Sequence, residues 1–137
     1  MWDKLVQHNS LEMIMKDKGL AKIGDNLVNF SYSLAKSLVL GEATGEKVRD
    51  SVLARALRAT PIYRKMGRRT DAGRAADGYE AIMAYLWLTE RTSIQDIVSS
   101  LISTLHIDAK TNRKQEGNAA AVSFQILLEQ NLDSLPP

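Results

Sequence analysis

The stretch "LAKIGDNLVNF", residues 20–30, decides how the chain folds. Leu20, Ile23, Leu27 and Phe30 recur at the 3.6-residue spacing of a helix with one apolar face. Gly24 and Asp25 lie one step from that stripe. Glycine in a helix interior costs about 1 kcal/mol relative to alanine, and a carboxylate against apolar surface is unfavourable unless its charge is compensated. The pair implies either a cationic partner or a metal ion.

Outward from this stretch the same period persists, and with only 8 glycines and 3 prolines it predicts an all-α protein. A short helix is expected over Asp3–His8, and another over Leu11–Asp17 behind Ser10 as cap. The long helix then runs from Leu20 to Leu40 and stops at Gly41. "GEATGEKVRD" reads as a turn opening the next helix, with Glu46 in its first turn and Val48, Val52, Leu53, Ala56 and Leu57 on one face. Thr60-Pro61 ends it. A basic helix or loop precedes an apolar helix over roughly 72–90, bearing Tyr79, Ile82, Met83, Leu86 and Trp87. Further helices are expected over Ser93–His106 and Asn118–Glu129, the second carrying Val122, Phe124, Ile126, Leu127 and Leu128. They are joined by a polar connector in which "NRKQEG" reads most simply as a solvated loop. No repeat or low-complexity tract divides the 137 residues, so residues 1–137 are expected to form one domain.

Apolar residues make up 45% and charged residues 25%, close to the average for globular proteins, so the composition suggests neither a disordered nor a membrane-embedded chain. The apolar run Leu27–Leu40 is broken by Asn29, serines and Lys36 and falls short of the roughly 20 residues that span a bilayer. "MWDKLVQHNS" lacks the apolar core of a secretory signal, and the absence of cysteine excludes disulfides and thiolate metal sites; a reducing cytoplasm is the expected setting. The net charge of +2 is small, but it is unevenly placed. Between Arg55 and Arg74 stand Arg55, Arg58, Arg64, Lys65, Arg68, Arg69 and Arg74 against the single acid Asp71. A solvated helix face would read this way, and so would a surface for a polyanion, since the planar guanidinium suits phosphate oxygens.

A second acid pair, Asp77 and Glu80 in "ADGYEAIMAYLWL", precedes an apolar run. Asp-x-x-Glu at this place is also the pattern of a capping box. Thr70 or Asp71 offers an earlier cap, however, which would put both acids inside the helix and on one side of it. If Asp25 meets them across a helix interface, the three carboxylates cannot all remain ionised without a cation. An oxygen-only set suits Mg²⁺ or Mn²⁺, which keep several waters and share themselves with a phosphate.

"GLAKIGDNLVNF" followed by "DGYEAIMAYLWL" resembles the ribonuclease III family, whose nuclease domain carries a Gly-Asp signature on one helix and Asp-x-x-Glu-Ala on another. The likeness is nearest to the small Mini-III type, which has the catalytic domain without a double-stranded-RNA-binding domain. There too the first signature reads Leu-Ala-x-Ile-Gly-Asp, and a basic loop stands where "RKMGRRTDAGR" does here. The likeness spans roughly residues 19–90; the carboxy-terminal third from Ser93 matches nothing recognised. It implies the ribonuclease III helical bundle, and an Mg²⁺- or Mn²⁺-dependent endoribonuclease cutting double-stranded RNA as a homodimer. Asp25, Asp77 and Glu80 would be the catalytic and metal-binding acids, and Glu46 a supporting acid. Arg64, Lys65, Arg68, Arg69 and Arg74 would be the RNA-binding surface, with Arg113 and Lys114 of "NRKQEG" able to extend its footprint. Departures are also present: Lys18 and Asn29 stand where some relatives carry glutamate.

Two other readings remain open on the sequence. One is a catalytically silent RNA-binding module of the same fold. The other is a helical-bundle interaction protein in which Asp77 and Glu80 cap a helix and Asp25 pairs with an arginine. His8 and His106 have no acid or serine at catalytic spacing and read as structural or exposed, and Trp2 and Trp87 as packing residues.

Overall fold

The computed structural model describes residues 1–67 and 70–137, and every regular element among them is helical. Six α-helices follow in order: α1 (Leu11–Lys16), α2 (Lys18–Leu40), α3 (Asp50–Arg58), α4 (Ala72–Leu88), α5 (Ile94–Thr104) and α6 (Arg113–Gln130). Short 3-10 turns cover Asp3–Leu5, Pro61–Lys65 and Leu132–Ser134. The expected amino-terminal helix is therefore only a single turn.

Helix α4 is the core of the molecule. Of its side chains from Ala75 to Leu88, only Asp77 and Trp87 are not buried, because α1, α2 and α3 all pack on it. Its most extensive contact is with α2. Helix α6 covers α3, and α5 lies between α2 and α6. Tyr79 of α4 meets Phe124 of α6 edge to face at 5.7 Å and donates its hydroxyl hydrogen bond to the Phe124 carbonyl, which satisfies an otherwise buried polar group.

Local chemistry sets most boundaries. Ser10, Asp17, Asp71, Ser93 and Asn112 each accept a backbone N–H three residues on, capping α1, α2, α4, α5 and α6. Asp17 starts α2 two residues before the expected Leu20. Asp71, accepting from the Arg74 N–H at 2.8 Å, starts α4 early enough to place Asp77 and Glu80 inside the helix rather than at its cap.

Three expectations fail. Residues 112–117 are not a loop: Asn112 and Gln115 form a reciprocal capping box and α6 begins at Arg113. Helix α3 begins at Asp50, so Glu46 lies in the preceding connection rather than in a first helical turn. On α2 the buried stripe runs through Leu20, Ala21, Gly24, Leu27, Val28, Ser31, Tyr32 and Ala35. Gly24 is thus in the stripe itself, and Phe30 is 55% exposed. The stripe turned because α4 and α5 both pack on α2, and together they select a face one residue away from the one the largest side chains suggest.

Candidate metal centre

At Gly24 the backbones of α2 and α4 approach closely. A Cβ built there would lie 1.8 Å from the Glu80 carbonyl oxygen and 2.4 Å from its carbon, so no other residue fits without parting the helices. Burying backbone against backbone at this point brings the next residue of α2, Asp25, beside Glu80. Asp25 sits at the margin of the interface, partly exposed, whereas Glu80 is 4% exposed.

Asp25, Asp50, Asp77 and Glu80 line one open pocket of about 320 Å³, with Ala21 at its side and Lys18, Lys22 and Lys47 around it. Asp77 and Glu80 reach it from one side of α4, Asp25 from α2 and Asp50 from the first turn of α3. Among the described residues none of these acids is held in an ion pair. Burial raises the Glu80 carboxyl to about 9, helped by a hydrogen bond with Asp25 and the negative charges of Asp25, Asp50 and Asp77. At neutral pH Glu80 therefore carries a proton that a nearby cation would displace. Among the described residues no three His, Cys, Asp or Glu side chains stand close enough together to hold a metal ion as they are placed. The four carboxyls line the pocket as an open, oxygen-only set.

The connection 41–49 delivers Asp50, and polar contacts hold it to α2. Ser33 Oγ accepts the Glu46 N–H at 2.9 Å, and Lys36 Nζ donates to the Glu46 carboxylate. Lys36 also pairs with Glu116 of α6 at 3.0 Å, and Glu116 accepts the Tyr32 hydroxyl at 2.7 Å. Glu46, expected as a supporting metal ligand, is thereby engaged by Lys36 and is not among the residues lining the acid pocket. The fourth acid at the pocket is Asp50, four residues on. Its sequence signal was an acid immediately before the apolar period Val52, Leu53, Ala56 and Leu57, obscured by placing the helix start at Glu46.

Asn29 joins the two halves. Its Nδ2 donates to Asp25 Oδ1 at 3.1 Å while its Oδ1 accepts the Val48 N–H at 2.7 Å, tying the α2 acid to the segment that ends in Asp50. A carboxylate here would keep the second contact and repel Asp25.

Among the described residues the basic segment divides between more than one face. Arg55 faces α6, donating to Asn118 Oδ1 at 2.6 Å, and Arg58 donates to the Thr70 carbonyl at 2.8 Å. Lys65 and Arg74 line a neighbouring pocket of about 360 Å³ that shares Lys18 and Asp77 with the acid pocket, over a floor of Met15 and Met66. Arg64 is exposed beside them on its 3-10 turn; Arg68 and Arg69 lie outside the described residues. His8 is hydrogen-bonded to Asp17 at 2.7 Å, His106 is exposed, and Trp2 stacks on Trp87 at 4.9 Å; none touches the acid pocket.

The family model described as Ribonuclease III matches residues 18–135, from the first turn of α2 through the end of α6. The chain belongs to the ribonuclease III family. The match includes the carboxy-terminal third, which carries no motif recognisable by eye, so α5 and α6 are part of the family fold. No curated protein matches the chain. Among the described residues no helix is long and apolar enough to cross a membrane.

Proposed function

We propose that the chain is a metal-dependent endoribonuclease that hydrolyses phosphodiester bonds of double-stranded RNA. The observation that carries this reading is the meeting of Asp25, Asp50, Asp77 and Glu80 in one pocket of a ribonuclease III-family helical domain. Their donor set fits Mg²⁺ or Mn²⁺: all oxygen, open to solvent, and carrying one carboxyl that ionises only when positive charge arrives. Asp25, Asp77 and Glu80 would hold the ion, with Asp50 as the supporting acid. When bound, the metal supplies Lewis-acid stabilisation of the scissile phosphate and an activated water.

The chain's own residues prepare this. Gly24 lets α2 and α4 close so that Asp25 and Glu80 share a site, and Asn29 holds the Asp25 carboxylate in one orientation. Lys18, Lys22 and Lys47 lower the repulsion between the acids and an incoming phosphate. Lys65 and Arg74, on the adjoining pocket, are placed to take neighbouring backbone phosphates, with Arg64 exposed on the 3-10 turn beside them. Duplex RNA is read largely through phosphates and 2′-hydroxyls, which such a surface contacts without base recognition.

The 137 residues would act as one catalytic unit and pair as a homodimer, each subunit cutting one strand. Support comes from Phe30, Leu34 and Leu38, which repeat every four residues along α2 and are 55%, 37% and 64% exposed. Such an apolar row on a soluble helix is stabilised by a second copy. Cleavage of an end-labelled RNA duplex tests the reading: cutting in Mg²⁺ that is lost in EDTA and in Asp77→Asn is expected, and a duplex left intact by wild-type protein in Mg²⁺ or Mn²⁺ overturns it.

A further inference from the structure

Across α3 from the acid pocket lies a second opening, of about 430 Å³, lined by Arg49, Ser51, Val52, Arg55, Arg113, Lys114, Gly117 and Asn118. Four cations face it and no carboxylate does. Among the described residues none of the four is in an ion pair. Four like charges around one opening repel one another, an arrangement that an anion relieves.

Two of the cations are fixed in place. Arg55 Nη1 donates to Asn118 Oδ1 at 2.6 Å. The Arg49 guanidinium lies across α6 at Gly117, where a Cβ would come within 2.4 Å of Nη2, and it approaches the Arg113 carbonyl at 3.5 Å. Gly117 therefore makes room for Arg49 in a helix interior that would otherwise favour alanine. Guanidinium groups held against a helix surface, with their remaining N–H donors toward an open pocket, are pre-organised for phosphate oxygens.

The chain segment between the two openings contributes side chains to both. Lys47 and Asp50 face the acid pocket; Arg49 and Ser51 face the cationic one. One strand of an RNA duplex crossing the first turn of α3 would place one phosphate at the acids and a later one at the cations. We propose that this α3–α6 pocket is a second RNA-backbone site, binding phosphodiesters of the strand that enters the acid pocket through Arg49, Arg55, Arg113 and Lys114. It deepens the ribonuclease reading and rests on it, but it concerns binding rather than cutting. It is separate from the surface formed by Lys65 and Arg74, which lies on the far side of the acid pocket.

The test is fluorescence anisotropy of a labelled RNA duplex in EDTA, where nothing is cut, across a salt series. The variants are Arg113→Ala combined with Lys114→Ala, and separately Gly117→Ala, whose methyl displaces the Arg49 guanidinium; circular dichroism checks that each is folded. The double variant is expected to bind about tenfold more weakly and to lower the salt slope by roughly 2, one for each lost phosphate contact, with Gly117→Ala weakening binding in the same direction. Wild-type protein that binds and cuts duplex while the double variant matches its affinity and salt slope overturns the inference and leaves the nuclease reading standing. Binding weakened in the variant with no cleavage by wild type keeps the inference and overturns the catalytic reading. Inorganic tripolyphosphate competing as well as RNA, charge for charge, would make this a free-anion site and overturn the RNA assignment. Wild-type protein that neither binds nor cuts removes both.

Discussion

Gly24→Ala is the sharpest perturbation of the helix contact on which the acid pocket depends. Alanine favours a helix interior over glycine by about 1 kcal/mol, so intrinsic propensity alone predicts a more stable protein. The structure predicts the reverse. The new methyl carbon would stand 1.8 Å from the Glu80 carbonyl oxygen, where ordinary contact begins at 3.4 Å. The deficit of about 1.6 Å lies between two backbones, so no side-chain rotation relieves it, and α2 must move off α4 in a close-packed interior. Overpacking costs typically about 1–3 kcal/mol and more where the obstacle is rigid. A net loss of about 3 kcal/mol, after the propensity gain, corresponds to a fall in Tm of roughly 10 °C for a chain of this size. Thermal unfolding followed by circular dichroism reads this directly, and divalent-metal affinity should fall with it as Asp25 leaves Glu80. Gly73→Ala is the internal control: also in a helix, it meets only Asp71 Oδ1 at 3.4 Å and Asp50 Oδ2 at 4.0 Å, and should be neutral or mildly stabilising. A Gly24→Ala protein as stable as wild type, with metal affinity intact, would refute the close-approach reasoning.

Other outcomes follow from the same geometry. The Glu80 carboxyl is raised from 4.5 to about 9, so the folded chain keeps a proton that the unfolded chain releases, and metal-free stability is full below pH 4.5 and declines up to about pH 9. The decline is at most about 1.4 kcal/mol per pH unit; urea titrations in EDTA at pH 6 and 8 should show it in wild type and not in Glu80→Gln. Asn29→Ala removes the link between Asp25 and Val48 and should cost about 1–3 kcal/mol in chemical denaturation while weakening metal binding, because the Val48 N–H loses its acceptor. Glu46→Gln should leave Mg²⁺ affinity by calorimetry unchanged, since Glu46 is occupied by Lys36; a large loss would return it to the metal site. Lys36→Met should destabilise more than Glu46→Gln does, by leaving Glu46 and Glu116 without their shared cation.

Local patterns made much of this fold legible. Ser10, Asp71 and Ser93 cap where their neighbours' apolar periods begin, and the spacing of Asp77 and Glu80 already put them on one side of a helix. Asn112-x-x-Gln115 was equally local, and reading "NRKQEG" as a loop overlooked a complete capping box. Other features depend on distant partners. The extended connection that carries Glu46 to Arg49 is held by Ser33, Asn29 and Lys36 of another helix, and without those contacts in view the start of α3, and hence Asp50, was misplaced. Phe30 lies on the solvent side because α4 and α5 chose the burial face of α2, a choice its own sequence does not contain. Gly24 was conspicuous in the sequence, but its reason was not: the residue that excludes a side chain there is 56 positions away, in the backbone of Glu80.

Anomalous diffraction from crystals soaked in Mn²⁺ tests the metal centre most directly. The expected result is a peak in the pocket between α2, α3 and α4, within ligand distance of carboxylate oxygens of Asp25, Asp77 and Glu80, and absent in Asp77→Asn. A peak elsewhere, or an empty pocket in which Asp25 is paired with an arginine or lysine, would contradict it.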